Sequence, residues 1–189
     1  MAKRIGVLAV QGAFAEHEAM LGALGAECHE LRNRTDLEEK PDALVLPGGE
    51  STVQRKILIE SGMLAPIKSW IEEGMPVLAT CAGLILLAEH LSNDRRTCFE
   101  TLPVTVRRNA YGRQLGSFQQ TAPLKGLGDF TMTFIRAPYI AAVGPKAQVL
   151  AEVDGHIVAA RQGNQLVTAF HPELDEDTSV HQYFLDMTK

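Results

Sequence analysis

Three short stretches of this 189-residue chain carry residue types that could do covalent chemistry. The first is Thr80-Cys81-Ala82-Gly83. It lies where an apolar run, residues 77–80, meets a stretch of helical character. Cys81 would then stand on a tight strand-to-helix elbow of the kind that presents a nucleophile. Such a turn crowds its flanks, and Ala79, Ala82 and Gly83 are all small. A sulfur at a helix N-terminus also feels the positive end of the helix dipole, which favours thiolate. The bland alternative is a small buried hydrophobe, the usual fate of a free cysteine. The elbow context outweighs it.

The second stretch, Phe170-His171-Pro172-Glu173, follows the apolar run 166–169. A histidine there can take a thiol proton, and a glutamate two residues on can hold its other ring nitrogen. Pro172 between them restricts their relative geometry. A surface loop with a stray histidine is the plain alternative. A metal site from Cys81, His171 and Glu173 would need a further ligand or an open water position, and the remaining histidines show no ligand spacing. The third stretch is Pro47-Gly48-Gly49-Glu50-Ser51-Thr52. Its glycines let backbone N–H groups turn toward a ligand as a nest for a carboxylate or oxyanion. A turn with Ser51 or Thr52 as helix N-cap is expected at the same place and does not exclude the nest.

Each stretch needs a strand before it, and the chain supplies them. Residues 5–10, 28–31, 43–46 and 77–80 are short runs consistent with strands, 5–10 and 43–46 apolar throughout and 77–80 apolar up to Thr80. Residues 13–24, 51–59, 64–73 and 84–91 read as helices between and after them. Strands without alternation, separated by helices, imply a parallel sheet covered on both faces. The second half differs: residues 104–107, 131–135, 149–153, 157–160 and 166–169 read as strands, with Asp154-Gly155 and Gly163-Asn164 as hairpin turns. Val180, Tyr183, Phe184 and Met187 mark a final amphipathic helix. The expectation is one α/β domain over 1–189, a three-layer sandwich with a mixed central sheet. In an open α/β sheet the carboxyl ends of the strands form the binding edge, where Cys81 and His171 would both lie.

Composition excludes several classes. The net charge is −5, with no basic patch suited to nucleic acid. The hydrophobic fraction of 46% is that of an ordinary globular protein, and no apolar run is long enough for a membrane span. Residues 1–10 lack a small-residue cleavage site, so a signal peptide is not expected. Cys28, Cys81 and Cys98 are odd in number and irregularly spaced, which fits a reducing cytoplasm better than a disulfide framework.

Taken together, these residues resemble the class I glutamine amidotransferases, of flavodoxin-like fold. Within them the chain is similar to the glutaminase subunits of pyridoxal 5′-phosphate synthase. The resemblance runs through Val10-Gln11-Gly12, Glu16-His17, residues 46–52 and 80–88, and Phe170 to Leu174. Its most specific parts are Arg108-Asn109-x-x-Gly112-Arg113-Gln114 and Ile135-Arg136-Ala137-Pro138. It implies Cys81 as nucleophile with His171 and Glu173 completing a triad. It implies Gly49, Glu50, Ser51, Arg108, Ile135 and Arg136 as the glutamine site, and N–H groups near Gly49 and Ala82 as the oxyanion hole. A guanidinium suits the α-carboxylate of an amino acid, which gives Arg108 a physical reason to be there. The Arg136 side chain has a structural ion pair as its alternative. No metal or organic cofactor is implied. The implied partner is a synthase (lyase) subunit in a hetero-oligomeric complex, fed with ammonia. The rival within the superfamily is a glutaminase serving another synthase, such as that of imidazole glycerol phosphate, which should lack the Arg-Asn-x-x-Gly-Arg-Gln run. Ala79 stands where the superfamily often has glycine, and residues 98–103 lack the family's Leu-Gly pattern.

Overall fold

Short apolar runs with no alternation must be buried on both faces, and here they pair side by side. The computed structural model describes residues 1–111 and 116–189. Strands β1 (Arg4–Leu8), β3 (Ala43–Leu46), β4 (Val77–Thr80) and β12 (Gln165–Thr168) are mutually parallel, and β3 and β4 are buried at every residue. Strand β2 (Glu27–Leu31) closes that edge, parallel to β1, with the alternating burial of an edge strand. The main sheet runs β2-β1-β3-β4-β12 and then through β11 (His156–Gln162), β9 (Tyr139–Val143), β6 (Leu102–Arg107) and β5 (Ala88–Leu91), with β10 (Gln148–Val153) against β11.

Helix α1 (Phe14–Ala23) links β1 to β2 in one direction along the sheet. Helices α2 (Ser51–Glu60) and α3 (Leu64–Glu72) link β3 to β4 in the other. Right-handed crossovers therefore put them on opposite faces. The reversal falls between β1 and β3. The crevice beyond the carboxyl ends of those strands is where an open α/β sheet binds its ligand.

The second half of the chain turns the sheet mixed. Strands β9 (Tyr139–Val143), β10 (Gln148–Val153) and β11 (His156–Gln162) are joined by antiparallel pairings, and β11 also runs antiparallel to β12. Asp154 and Gly155, both at positive φ, make the β10–β11 turn as expected. A separate ribbon of β7 (Ser117–Leu124) and β8 (Gly128–Ile135) pairs antiparallel over eight residues. Phe130, Phe134, Phe170 and the Phe184 of α5 (Ser179–Asp186) are fully buried.

Two expectations change. The helix expected over 84–91 stops early: α4 covers Ala82–Leu87, and Ala88–Leu91 forms β5, parallel to β6 (Leu102–Arg107). Ala88-Glu89-His90-Leu91 is too short and mixed to separate helix from strand by its own residues, so the distant partner β6 decides. Strands β7 and β9 lie where the sequence reading places none, β9 despite its apolar residues. β7 is largely exposed and exists by pairing with β8. The Gly112-Arg113-Gln114 part of the sequence motif lies outside the described residues.

Candidate active site

The carboxyl ends of β3, β4 and β12 lie beside one another, and each delivers one of the three chemical stretches. After β4 the chain turns into α4 through Cys81, whose φ of 48° and ψ of −101° lie where non-glycine residues are rarely found. Strain of this kind persists only where its surroundings enforce it. Here the Cys81 N–H donates to the Thr168 carbonyl of β12 at 2.8 Å. Gly83 is obligatory for a packing reason: a Cβ there would meet the Leu46 carbonyl oxygen at 2.0 Å. The small flanks expected of an elbow are thus explained by α4 pressing onto β3. The expected dipole is weak, because α4 has only six residues. The group beside the sulfur is instead His171.

His171 Nδ1 contacts Glu173 Oε1 at 2.6 Å, and the Glu173 side chain is fully buried. Burial by itself would lower the His171 pKa. The neighbouring Cys81 side chain and the Glu173 carboxylate more than offset it, and the imidazole is raised to about 10. A protonated imidazole beside Cys81 can hold a thiolate and later return a proton to a leaving group. The other thiols are placed otherwise. Burial pushes Cys28 up to about 11 and Cys98 up to about 12.

Cys81 and His171 line one cleft of about 1140 Å³, together with Gly49, Glu50, Ser51, Arg108, Ile135 and Arg136. Every residue assigned from sequence to substrate binding is therefore at the cleft wall. Glu173 stands behind His171, and Ala82 opens the first turn of α4, whose amides have no partner within a helix. The Ile135 carbonyl lies 4.0 Å from Cys81 Sγ, so this segment reaches the sulfur through its backbone. Arg136 follows in the left-handed region, its N–H donating to the Gly116 carbonyl at 2.6 Å. Ser51 Oγ is buried with no hydrogen-bond partner among the described residues, a hydroxyl free for a ligand.

Two details differ from expectation. Neither Ser51 nor Thr52 caps α2. Glu50 occupies the N-cap position without a side-chain cap bond, and its N–H donates to Gln11 Oε1 at 2.7 Å. Gln11, in the turn after β1, thus holds the N-cap residue's own N–H, and the first-turn amides of α2 gain no side-chain cap. Arg108 is already engaged: one Nη donates to Asp94 in a mostly buried ion pair. Its Nε, buried, has no partner among the described residues and remains available to a carboxylate.

Gln11 and Thr80 appear in the sequence motifs with no role of their own, and Gly48 only as part of the nest. A Cβ at Gly48 would fall 2.2 Å from His171 Cε1, so this glycine is the surface against which the imidazole lies. Thr80 Oγ1 accepts the Gly48 N–H at 3.1 Å and ties the loop to the β4 strand end. The Gln11-Gly12 and Gly48-Gly49 pairs were visible in sequence, but their mutual contact is not a sequence property. A Cβ at Gly12 would meet the Gly48 carbonyl oxygen at 2.0 Å.

A nucleophile elbow, an imidazole backed by a carboxylate and a glycine nest in one cleft are the parts of an amide-cleaving site. The model of the SNO glutamine amidotransferase family matches residues 7–189. The chain belongs to that family. It is 60% identical over 184 residues to the pyridoxal 5′-phosphate synthase subunit PdxT of Methanocorpusculum labreanum, covering 97% of each chain. It is 58% identical over 183 residues to the subunit of that name from Desulfitobacterium hafniense, covering 97% of this chain and 92% of the other. A solved glutamine amidotransferase superposes with a TM-score of 0.92 at 41% identity, covering 97% of this chain and 98% of that one. A glutamine amidotransferase from Thermotoga maritima shares the fold at 14% identity and a TM-score of 0.66, covering 99% of this chain and 84% of that one.

Proposed function

We propose that this chain hydrolyses L-glutamine to L-glutamate and ammonia, and passes the ammonia to a synthase subunit that makes pyridoxal 5′-phosphate. The observation that carries the chemistry is the 2.6 Å contact of His171 with Glu173 in the cleft that Cys81 lines. Family membership and the PdxT relatives favour this pathway over imidazole glycerol phosphate synthesis.

Cys81 Sγ attacks the side-chain amide carbon of glutamine, and the carbonyl oxygen becomes an oxyanion. The N–H groups of Gly49 and Ala82 are the proposed donors to it, each worth about 3–4 kcal/mol at a developing charge. The C–N bond then breaks, and ammonia leaves with a proton from His171. Water attacks the resulting γ-glutamyl thioester with His171 as general base, releasing glutamate and the Cys81 thiol. Glu173 keeps the imidazole in the correct tautomer. Arg108, with its free Nε, and the 49–51 loop hold the amino-acid end of the substrate, and the 135–136 segment lines the reacting end. The triad calls for no metal or cofactor.

The partner is a lyase subunit in a hetero-oligomeric complex, and the cytoplasm is the proposed site of the reaction. No helix among the described residues is long and apolar enough to cross a membrane. The test is ammonia release from glutamine by the purified chain, alone and with its synthase. Glutamate formed at a rate that the synthase raises is expected. No glutaminase activity in either state would overturn the proposal.

A further inference from the structure

Behind the cleft lies a chain of buried polar groups that the mechanism above does not use. Glu173 presents Oε1 to His171, and its other oxygen, Oε2, has no hydrogen-bond partner among the described residues. His17 Nε2 of α1 lies 3.5 Å from it, with both side chains fully buried. The same Nε2 lies 3.2 Å from Thr80 Oγ1, which accepts the Gly48 N–H. On its other side His17 Nδ1 meets His181 Nε2 of α5 at 2.8 Å. His17 therefore stands where the carboxylate of the proposed triad, the strand end before Cys81 and the glycine loop come together.

The facing carboxylate favours one of two protonation patterns. If His17 carried its proton on Nδ1, its bare Nε2 lone pair would face the Glu173 carboxylate, and His181 would bury an unpaired N–H. If the proton is on Nε2, it donates to Thr80 Oγ1 and faces Glu173 Oε2, His181 donates to Nδ1, and the Thr80 O–H and a ring lone pair of His181 are left over. Each pattern leaves one buried donor unpaired, the His181 Nδ1–H or the Thr80 O–H, but only the second turns a donor rather than a lone pair toward the Glu173 carboxylate. Burial, then the facing His181 and His171, hold His17 neutral, its pKa well below the usual value. Burial likewise lowers His181, to about 4. Neutrality has a consequence for the imidazole in front. A cation at position 17 would compete with His171 for Glu173 and lower the basicity of His171, whereas a neutral N–H orients the carboxylate without doing so.

We propose that His17 is a positioning residue for this reaction: its neutral Nε2–H, 3.5 Å from the second oxygen of Glu173, steadies the carboxylate as a dipole facing a charge, so that the first oxygen stays aligned on His171, and His181 fixes the tautomer that makes this possible. The inference rests on the glutaminase proposal, and its test separates the two. Groups that orient an imidazole from behind carry about 10- to 100-fold in metal sites, and a loss in that range is expected here.

The test exploits amide geometry. A glutamine side chain places an N–H near the position of histidine Nε2, and asparagine places one near Nδ1. His17→Gln keeps the donor that the proposal requires, and His17→Asn keeps only the contact with His181. With the full chain in complex with its synthase, His17→Asn is expected to lower kcat by about 10- to 100-fold with KM little changed. It should also shift the pH dependence of Cys81 alkylation, which reads the thiolate–imidazolium pair without turnover. His17→Gln should lose less than about a tenth as much. His181→Gln, which keeps a donor toward His17, should lie close to wild type, and His181→Leu between wild type and His17→Asn. If the Asn and Gln variants fall equally, with the alkylation profile unmoved, His17 is only packing and the proposal fails. It fails also if His17→Asn matches wild type. An inactive wild-type complex would instead refute the glutaminase proposal itself.

Discussion

An alanine at Gly48 would strike the imidazole directly. Its Cβ would lie 2.2 Å from His171 Cε1 and 2.8 Å from Nδ1. Carbon contacts normally begin near ~3.5 Å, a deficit of about 1.3 Å. The loop cannot retreat easily, because the Gly48 N–H is held by Thr80 Oγ1 at 3.1 Å and its carbonyl accepts the Ala13 N–H at 3.0 Å. The ring must move instead, away from a contact with Glu173 of 2.6 Å. Misplacing a catalytic group by about 1 Å costs on the order of 10²-fold. Gly48→Ala should therefore lower kcat for ammonia release by about 10²-fold in the complex, with KM within a few-fold of wild type. Gly22→Ala is the matched control: it lies in α1, a Cβ there meets nothing within 4 Å, and it should be stabilising by about 0.5–1 kcal/mol in denaturant titration. A folded Gly48→Ala protein with kcat close to wild type would refute this account of how the ring is held.

Arg108→Ala should raise KM for glutamine far more than it lowers kcat, because a carboxylate remote from the reacting amide is held alike in ground and transition states. A sharp fall in kcat at unchanged KM would give Arg108 another role. Stability should fall on both sides of a maximum near neutral pH. His171, raised to about 10 from 6.5, contributes stability that is complete below pH 6.5 and is lost as pH rises through 10. His181, lowered to about 4, and His17 act oppositely, since below pH 6.5 the unfolded chain takes up protons that the folded chain refuses. Thermal melts across pH check both limbs, and His171→Gln should flatten the alkaline one. An alkaline limb as steep in that variant as in wild type would contradict the assignment.

How far the sequence reaches can be judged from particular residues. Strands Ala43–Leu46 and Val77–Thr80 are legible to the residue, because a four-residue run, apolar but for Thr80, between turn signals leaves few alternatives. Cys81, His171 and the glycine loop are legible because each follows such a strand. The order in which those strands lie side by side is not written locally, and it is the order that makes one cleft of three separate stretches. The same limit hides β5 and β7, which exist by pairing with β6 and β8. It also hides Gln11 holding the Glu50 N–H, Asp94 holding Arg108, and His17 meeting Glu173 from the far end of the chain. Each is a contact between elements, and no spacing within either element announces it.

The most direct test of the central claim is to find the covalent intermediate. The complex is mixed with L-glutamine, quenched in acid within the first turnover, and its cysteine peptides are weighed by mass spectrometry. A γ-glutamyl adduct on the peptide of Cys81, absent in Cys81→Ser, is the predicted result. Ammonia released with no adduct on Cys81 in a slowed variant such as Gly48→Ala, or with the adduct on Cys28 or Cys98, would contradict the account.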